Sequence, residues 1–386
     1  MKILHTSDWH LGHTLYNYDR TEEQMAMLEQ ITSIVAEEKP EVFLLCGDVY
    51  HNAQPSAAAQ TMFTEALVNI HNANPSMTMV ITAGNHDSAT RHEIFRTPWK
   101  ALKVHTIGTL NKDNLDEHII EIPGVGFVAA VPYAYERNIP DGFFPQLLDA
   151  VAERNTAGLP VVMTAHTTVM GCDTTGHDFV AGGIEGIDVK SLGEGYDYLA
   201  LGHIHHEQFV HTGKHNVRYS GTPIAVSFDE AYAHSVSIVE IDAHNATPVV
   251  RKIDIDNPRP LVTLPTTGFA SLDEVKELVK DFPADSRAYL RLNVEIDDFL
   301  PADARAEIEV LVKDKSCRFC IINAKRKAKE NDKSAETTLT VEELKSESPI
   351  DIASRYAKAT GVTFGDDLKQ LFEQVLQAIE EEERNN

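Results

Sequence analysis

Apolar runs that stop abruptly at polar residues punctuate the first half of the chain. Residues 42–46 (Val-Phe-Leu-Leu-Cys) end at Gly47-Asp48, and residues 79–83 (Met-Val-Ile-Thr-Ala) end at Gly84-Asn85-His86-Asp87. Residues 159–165 end at His166, and residues 198–201 end at Gly202-His203-Ile204-His205. The weakly alternating residues 1–7 lead into Asp8-Trp9-His10-Leu11-Gly12. Short apolar runs rich in β-branched residues and closed by glycine predict buried strands followed by turns. Between them, residues 21–38 predict a helix with Met25, Leu28, Ile31 and Val35 on one face and Glu22 and Glu23 at its positive end. Two more helices are expected, over 56–71 behind Pro55 and over about 88–102. Residues 104–132 read as short strands with turns at Gly124 and Gly126. Residues 170–195, with several glycines and Asp173, His177 and Asp178, read as a long loop of the kind that is often functional. Residues 217–240 read as strand pairs around Ser220-Gly221-Thr222-Pro223. Strands alternating with helices make this part an α/β unit.

The pattern changes after residue 256. Asp256-Asn257-Pro258-Arg259-Pro260 reads as a linker. Strand, helix (271–280), strand (289–295), helix (302–312) and strand (318–323) then predict a small α+β unit. Lys313, Lys315, Arg318, Lys325, Arg326, Lys327 and Lys329 form a basic cluster, equally readable as a phosphate contact or as a solvated linker running to about Glu336. Cys317 and Cys320 lack a second pair or a nearby histidine, and on a strand they point to opposite faces, so a metal knuckle is not expected. Near the end, Leu368, Leu371, Phe372, Val375, Leu376 and Ile379 make an amphipathic helix, preceded by Ile350, Ile352 and Tyr356. The expected domains are residues 1–256, 257–325 and 326–386.

The chemistry lies at the strand tips. Asp8 and His10 are two apart and share one side of an extended strand, as do His203 and His205. Alone, each tip has a bland reading. Asp48 could be a helix cap or a turn residue, and a histidine closing an apolar run is more often a core residue than a ligand. Together, Asp8, His10, Asp48, Asn85, His166, His203 and His205 supply oxygen and nitrogen donors, no thiolate and one central carboxylate. That set suits two divalent metals roughly 3.5–4 Å apart, an arrangement used for in-line attack on phosphorus. His206 is out of phase and is expected to face solvent.

Composition narrows the setting. At 386 residues the chain has room for two or three domains. Four cysteines do not suggest a disulfide framework, no signal peptide is apparent, and no apolar run approaches the ~20 residues of a membrane span; a cytoplasmic protein is expected. A formal net charge of −25 argues against a broad non-specific DNA-binding surface, while leaving room for metals to supply positive charge locally.

The spacing Asp8-x-His10, Gly47-Asp48, Gly84-Asn85-His86-Asp87, His166 and Gly202-His203-x-His205 resembles the calcineurin-like metallophosphoesterases. Residues 6–12, Gly47-Asp48-Val49-Tyr50-His51, Tyr219-Ser220-Gly221-Thr222-Pro223-Ile224 and Ser227-Phe228-Asp229-Glu230 narrow the likeness to the branch of double-strand-break repair nucleases. The resemblance covers about residues 1–255 strongly and the remainder by domain order. It implies a four-layer fold of two mixed sheets between helices, with a capping domain that sets access to the metals. It implies one metal on Asp8, His10, Asp48 and His205 and a second on Asp48, Asn85, His166 and His203, usually manganese, with iron or zinc tolerated by the ligands. His86 is then a non-ligand that stabilises the developing charge or protonates the leaving 3′-oxygen, with Asp87 placed to orient it and His51 a second candidate. The implied activity is exonuclease and endonuclease cleavage of DNA ends, hairpins and single strands. The implied partners are a second copy of the chain and an SMC-type ATPase that uses the ATP and binds the C-terminal helices. A phosphodiesterase or phosphatase acting on small molecules and a non-catalytic repair scaffold are the competing readings. The capping unit and C-terminal helix weigh against the former, and the complete ligand set weighs against the latter.

Overall fold

A computed structural model describes residues 1–176, 186–210, 215–327 and Gly365. The chain divides into two units, Met1–Arg326 and Lys327–Asn386. His177, Asp178, Lys329, the stretch containing Ile350, Ile352 and Tyr356, and the C-terminal helix expected around Leu368 to Ile379 lie outside the described residues.

Two six-stranded mixed sheets form the body of the first unit. In one, Lys2–Thr6, Val42–Cys46, Thr78–Thr82 and Val104–Ile107 run parallel, and Ser235–Glu240 and Val249–Asp254 add antiparallel at the Lys2–Thr6 edge. In the other, Gly126–Ala130, Val161–His166, Tyr198–Gly202 and Val217–Tyr219 run parallel, flanked by the antiparallel Ile119–Ile122 and Gln208–Phe209. Alternate residues of the central strands explain the layering. Val42, Leu44 and Cys46 face the other sheet and meet Val128, Ala130, Val162, Tyr198 and Ala200. Phe43 and Leu45 face outward under the helices Thr21–Glu38 and Ala57–Ala73. The helix Phe143–Arg154 covers the outer face of the second sheet through Phe144, Leu147, Leu148 and Val151. With both faces buried, these strands read as continuous apolar runs rather than as alternation. His5 joins the sheets as a buried polar link, its Nδ1 accepting from the Tyr198 hydroxyl (3.0 Å) and its Nε2–H donating to the Leu201 carbonyl (3.2 Å).

Three local expectations change. The buried face of Thr21–Glu38 carries Met27, Leu28, Ile31, Ile34 and Val35, whereas Met25 is exposed. Val217–Tyr219 and Ser235–Glu240 do not pair, because each joins a different sheet. The Phe143–Arg154 helix was not anticipated from the sequence pattern.

Residues 257–326 build a parallel three-stranded sheet, Leu261–Leu264, Tyr289–Ile296 and Arg318–Arg326, with helices Leu272–Asp281 and Ala304–Val312 packed on it. Ser271 starts the first helix with a reciprocal capping box to Glu274. The stretch expected to link the two regions is pinned. Arg259 is buried and donates to the Arg287 carbonyl (2.6 Å), and Asp256 exchanges two hydrogen bonds with the Gln30 amide. Across the junction the buried Tyr289 donates to Glu23 (2.6 Å), and Arg318 donates to Tyr289 Oη (2.7 Å) and to the Asp19 carbonyl (3.1 Å). Lys315 caps carbonyls of Lys280 and Phe282. Part of the basic cluster therefore has internal partners. Cys317 and Cys320 are free and buried in different apolar clusters, and Cys320 is the extra residue where the register shifts against Leu290 and Arg291.

Candidate metal centre

Five parallel strands point their C-terminal ends at one end of the sandwich, where open α/β sheets place their ligands. Three belong to one sheet and deliver Asp8 and His10, Asp48, and Asn85 with His86 and Asp87. Two belong to the other and deliver His166, and His203 with His205.

The backbone at these tips is unusual. Asp8, His10, Asp48 and His203 hold φ angles of 54°, 45°, 50° and 95°, a region that side chains rarely adopt. Hydrogen bonds between neighbouring loops hold them there, from Asp8 N to Gly47 O (3.0 Å), His10 N to Asp48 O (3.0 Å) and Leu11 N to Val49 O (2.9 Å). Close approach explains the glycines. A Cβ on Gly84 would overlap the Asp48 carboxylate and amide, and one on Gly202 would overlap the Cys46 carbonyl. Gly47 combines a φ of 86° with contact against the His166 ring.

The donor atoms converge. His10 Nε2 lies 3.2 Å from His205 Nε2 and 3.8 Å from Asp48 Oδ2. His166 Nε2 lies 3.4 Å from Asp48 Oδ2 and 2.9 Å from Asn85 Oδ1, which is 3.0 Å from His203 Nδ1. Asp8, His10 and His205 form one candidate metal group, and Asp8, Asp48 and His166 another. Two ligands at ~2.1 Å from one ion sit about 3–3.4 Å apart, so all of these spacings except the 3.8 Å between His10 and Asp48 fit a shared cation. Asp8 belongs to both groups, while Asp48 belongs to the second and approaches His10 of the first at 3.8 Å; its Oδ1 accepts from the His86 amide (2.9 Å).

The electrostatics fit as well. Burial alone lowers His166, yet the Asp48 and Asp8 carboxylates carry it up to about 9. His205 is raised against its burial by Glu230, Asp8 and Asp48. Burial raises Asp8. Burial, followed by the imidazoles of His205, His86 and His51, pushes His10 well below the ordinary histidine range. Two buried carboxylates thus draw protons onto neighbouring imidazoles, and a bound cation would displace those protons. The oxygen and imidazole donors, with no thiolate, suit hard to borderline divalent ions.

The calcineurin-like phosphoesterase profile matches residues 1–207, and that of the Type 5 capsule protein repressor C-terminal domain matches residues 257–360. The chain belongs to the calcineurin-like phosphoesterase family. Its curated relatives are named as the SbcD component of the nuclease SbcCD. The Rhodobacter capsulatus protein is 32% identical over 305 residues, covering 71% of this chain and 74% of that protein. The Bacillus subtilis protein is 29% identical over 323 residues (78% and 80%), and the Escherichia coli K12 protein is 25% identical over 377 residues (89% and 90%).

Around the phosphoesterase centre, two assignments change. Asp87 does not orient His86. Its buried carboxylate accepts from the Gly84, Val49 and Tyr50 amides (2.9, 3.1 and 3.0 Å) and faces His92 Nε2 at 3.5 Å, so it ties the Asn85 loop to the Asp48 loop. His86 is oriented instead by the His51 carbonyl, 2.9 Å from its Nδ1. The His51 ring stacks on that of His86 at 5.7 Å, and both form a third histidine group with His10. His206 is partly buried, paired with Asp173 (3.2 Å) and stacked on Tyr232 (4.2 Å), rather than simply solvent-facing. Sequence reasoning gave Glu230 no role. Its fully buried carboxylate accepts from His205 Nδ1–H (3.0 Å) and from Thr222 (3.2 Å), which keeps hydrogen on Nδ1 and turns Nε2 toward His10. The Cys46 carbonyl likewise keeps hydrogen on His166 Nδ1 (2.9 Å). No helix among the described residues is long and apolar enough to cross a membrane.

Proposed function

We propose that this phosphoesterase is a metal-dependent DNA nuclease that hydrolyses phosphodiester bonds at DNA ends, hairpins and breaks. It acts as exonuclease and endonuclease, works in the cytoplasm at the nucleoid, and cooperates as a dimer with an SbcC-like ATPase. The observation that carries this reading is the convergence of donors from Asp8, His10, Asp48, Asn85, His166, His203 and His205, with the Asp8 and Asp48 carboxylates among them. The relatives, named as a subunit of the nuclease SbcCD, suggest the nuclease activity and the partner.

Two divalent ions, most simply manganese, would supply Lewis acidity toward the phosphate and a nucleophile at neutral pH. Asp8, His10, Asp48 and His205 would hold one, and Asp48, Asn85, His166 and His203 the other. Glu230 and the Cys46 carbonyl aim His205 and His166. Because the His51 carbonyl only accepts, His86 Nδ1 carries hydrogen, and its Nε2 bears a proton only in the imidazolium form. The leaving oxygen would therefore take its proton from His86 imidazolium. Residues 257–325 would act as the capping domain and residues 326–386 as the ATPase-docking segment.

The experiment is digestion of linear duplex DNA with manganese, with and without a co-purified partner. We expect metal-dependent cleavage by the chain, with ATP dependence appearing only when the partner is present. Hydrolysis of small phosphodiesters with no cleavage of any DNA would overturn the nuclease reading in favour of a small-molecule phosphodiesterase.

A further inference from the structure

Another parallel strand reaches the same end of the sandwich without delivering a metal donor. Gly126–Ala130 lies beside Val161–His166, and the chain leaving its tip crosses to the other sheet, where the Tyr133 amide donates to the Ala83 carbonyl (2.8 Å), one residue before Gly84. That bond sets Tyr133 beside the metal centre. Its ring packs edge-on against His166, a candidate ligand, with centroids 6.2 Å apart. Tyr135 packs against Tyr133 at 5.5 Å, and the Arg137 guanidinium lies 5.4 Å from the centre of the Tyr135 ring. The three side chains run outward in order from His166 to solvent.

The end of this row is open. Tyr135 is 59% exposed, a large fraction for an aromatic ring beside an active site. Arg137 is exposed and makes no ion pair among the described residues, in a chain whose formal net charge is −25. An aromatic face with a guanidinium beside it matches a nucleotide, whose base has a π face and whose phosphate takes the charge. A paired base inside a duplex hides that face, whereas an unpaired or frayed one presents it.

We propose that Tyr133, Tyr135 and Arg137 form a nucleotide subsite on the rim of the metal centre. Tyr135 stacks an unpaired base next to the scissile phosphate, Arg137 contacts a neighbouring phosphate, and Tyr133 positions the pair against His166. This rests on the nuclease reading and names the form of substrate it takes: strands with an unpaired nucleotide at the site. In so acidic a chain, stacking and one local arginine replace a long basic groove.

The test uses phosphorothioate-linked single strands bound to the full chain, with 2-aminopurine placed in turn at each nucleotide flanking the scissile position. The wild type should quench one position. Tyr135→Ala should lose that quenching and bind roughly 5- to 100-fold more weakly, the range set by base–aromatic stacking, whereas Tyr135→Phe and Tyr135→Trp should retain both. An abasic residue at that nucleotide should make wild type and Tyr135→Ala bind alike. Arg137→Gln should lower the slope of log Kd against log salt by about one. If Tyr135→Ala matches the wild type in affinity and quenching at every position, the subsite is wrong while the nuclease reading stands. If the wild type neither binds nor cuts any oligonucleotide, the nuclease reading falls and takes the subsite with it.

Discussion

At the strand tips of the sandwich, Asp8, His10, Asp48 and His203 all hold positive φ angles, and buried carboxylates and imidazoles crowd together. In residues 257–327 every described non-glycine residue keeps a negative φ, helix Leu272–Asp281 begins with a capping box, and apolar residues pack between the two helices and one face of the sheet. Each left-handed non-glycine residue costs about 1–3 kcal/mol, so the tips carry strain that their cross-loop hydrogen bonds must hold. Residues 257–327 carry none of it. The contrast separates a part of the chain that brings polar donors together from a part whose local preferences and packing agree. Substitutions at the tips should remove metal or chemistry, and substitutions in residues 257–326 should remove only stability.

The sharpest break of that contrast is Asp48→Ala. It should lose both ions and all cleavage above background, as metal analysis of the purified variant will read. His86→Gln should keep both ions and DNA binding, and should slow the chemical step by about 10²–10⁴-fold in single-turnover cleavage. Loss of an ion in that variant would move His86 into the ligand set. Glu230→Gln leaves every donor in place but weakens the hold on His205, so metal titration should show affinity down by roughly 10- to 100-fold.

These residues also mark where the sequence was legible. The meeting of Asp8, His10, Asp48, Asn85, His166, His203 and His205 at one end of the sheets could be anticipated because each ends an apolar strand or follows one within four residues, a strictly local signal. Glu230 could not, since its relation to His205 is made by a turn that only the folded chain brings near. Asp87 was misread for a related reason. Its neighbour in sequence is His86, but its carboxylate points back to the amides of Gly84, Val49 and Tyr50. The buried strands and their alternation with helices followed from the apolar runs, whereas the four-layer arrangement came from the family resemblance. The choice of Met27 over Met25, and the assignment of Val217–Tyr219 and Ser235–Glu240 to different sheets, depended on tertiary packing that periodicity does not encode. The strands and helices of residues 257–326 were read nearly to their ends, because there local preference and tertiary structure agree.

Two smaller effects sharpen the stability side. Burial, with the Arg218 charge, holds His5 down at about 3, against 6.5 for the free imidazole. Between those values the unfolded chain takes up a proton that the folded chain refuses. His5 should therefore make stability fall as pH drops from 6.5 toward about 3, by up to about 1.4 kcal/mol per pH unit, and add nothing further below. Denaturant unfolding at several pH values should show a shallower acid dependence in His5→Gln than in the wild type. In residues 257–326, Ser271→Ala should cost about 0.5–2 kcal/mol through the lost helix N-cap, with metal content and cleavage unchanged.

The central claim is that two cations share the Asp48 carboxylate. Electron paramagnetic resonance of the manganese-loaded chain addresses it most directly, because two manganese ions about 3.5–4 Å apart on a common carboxylate couple their spins. We predict the spectrum of an exchange-coupled pair in the wild type and no coupled signal in Asp48→Ala. A wild-type spectrum of isolated manganese ions at full loading would contradict the shared site.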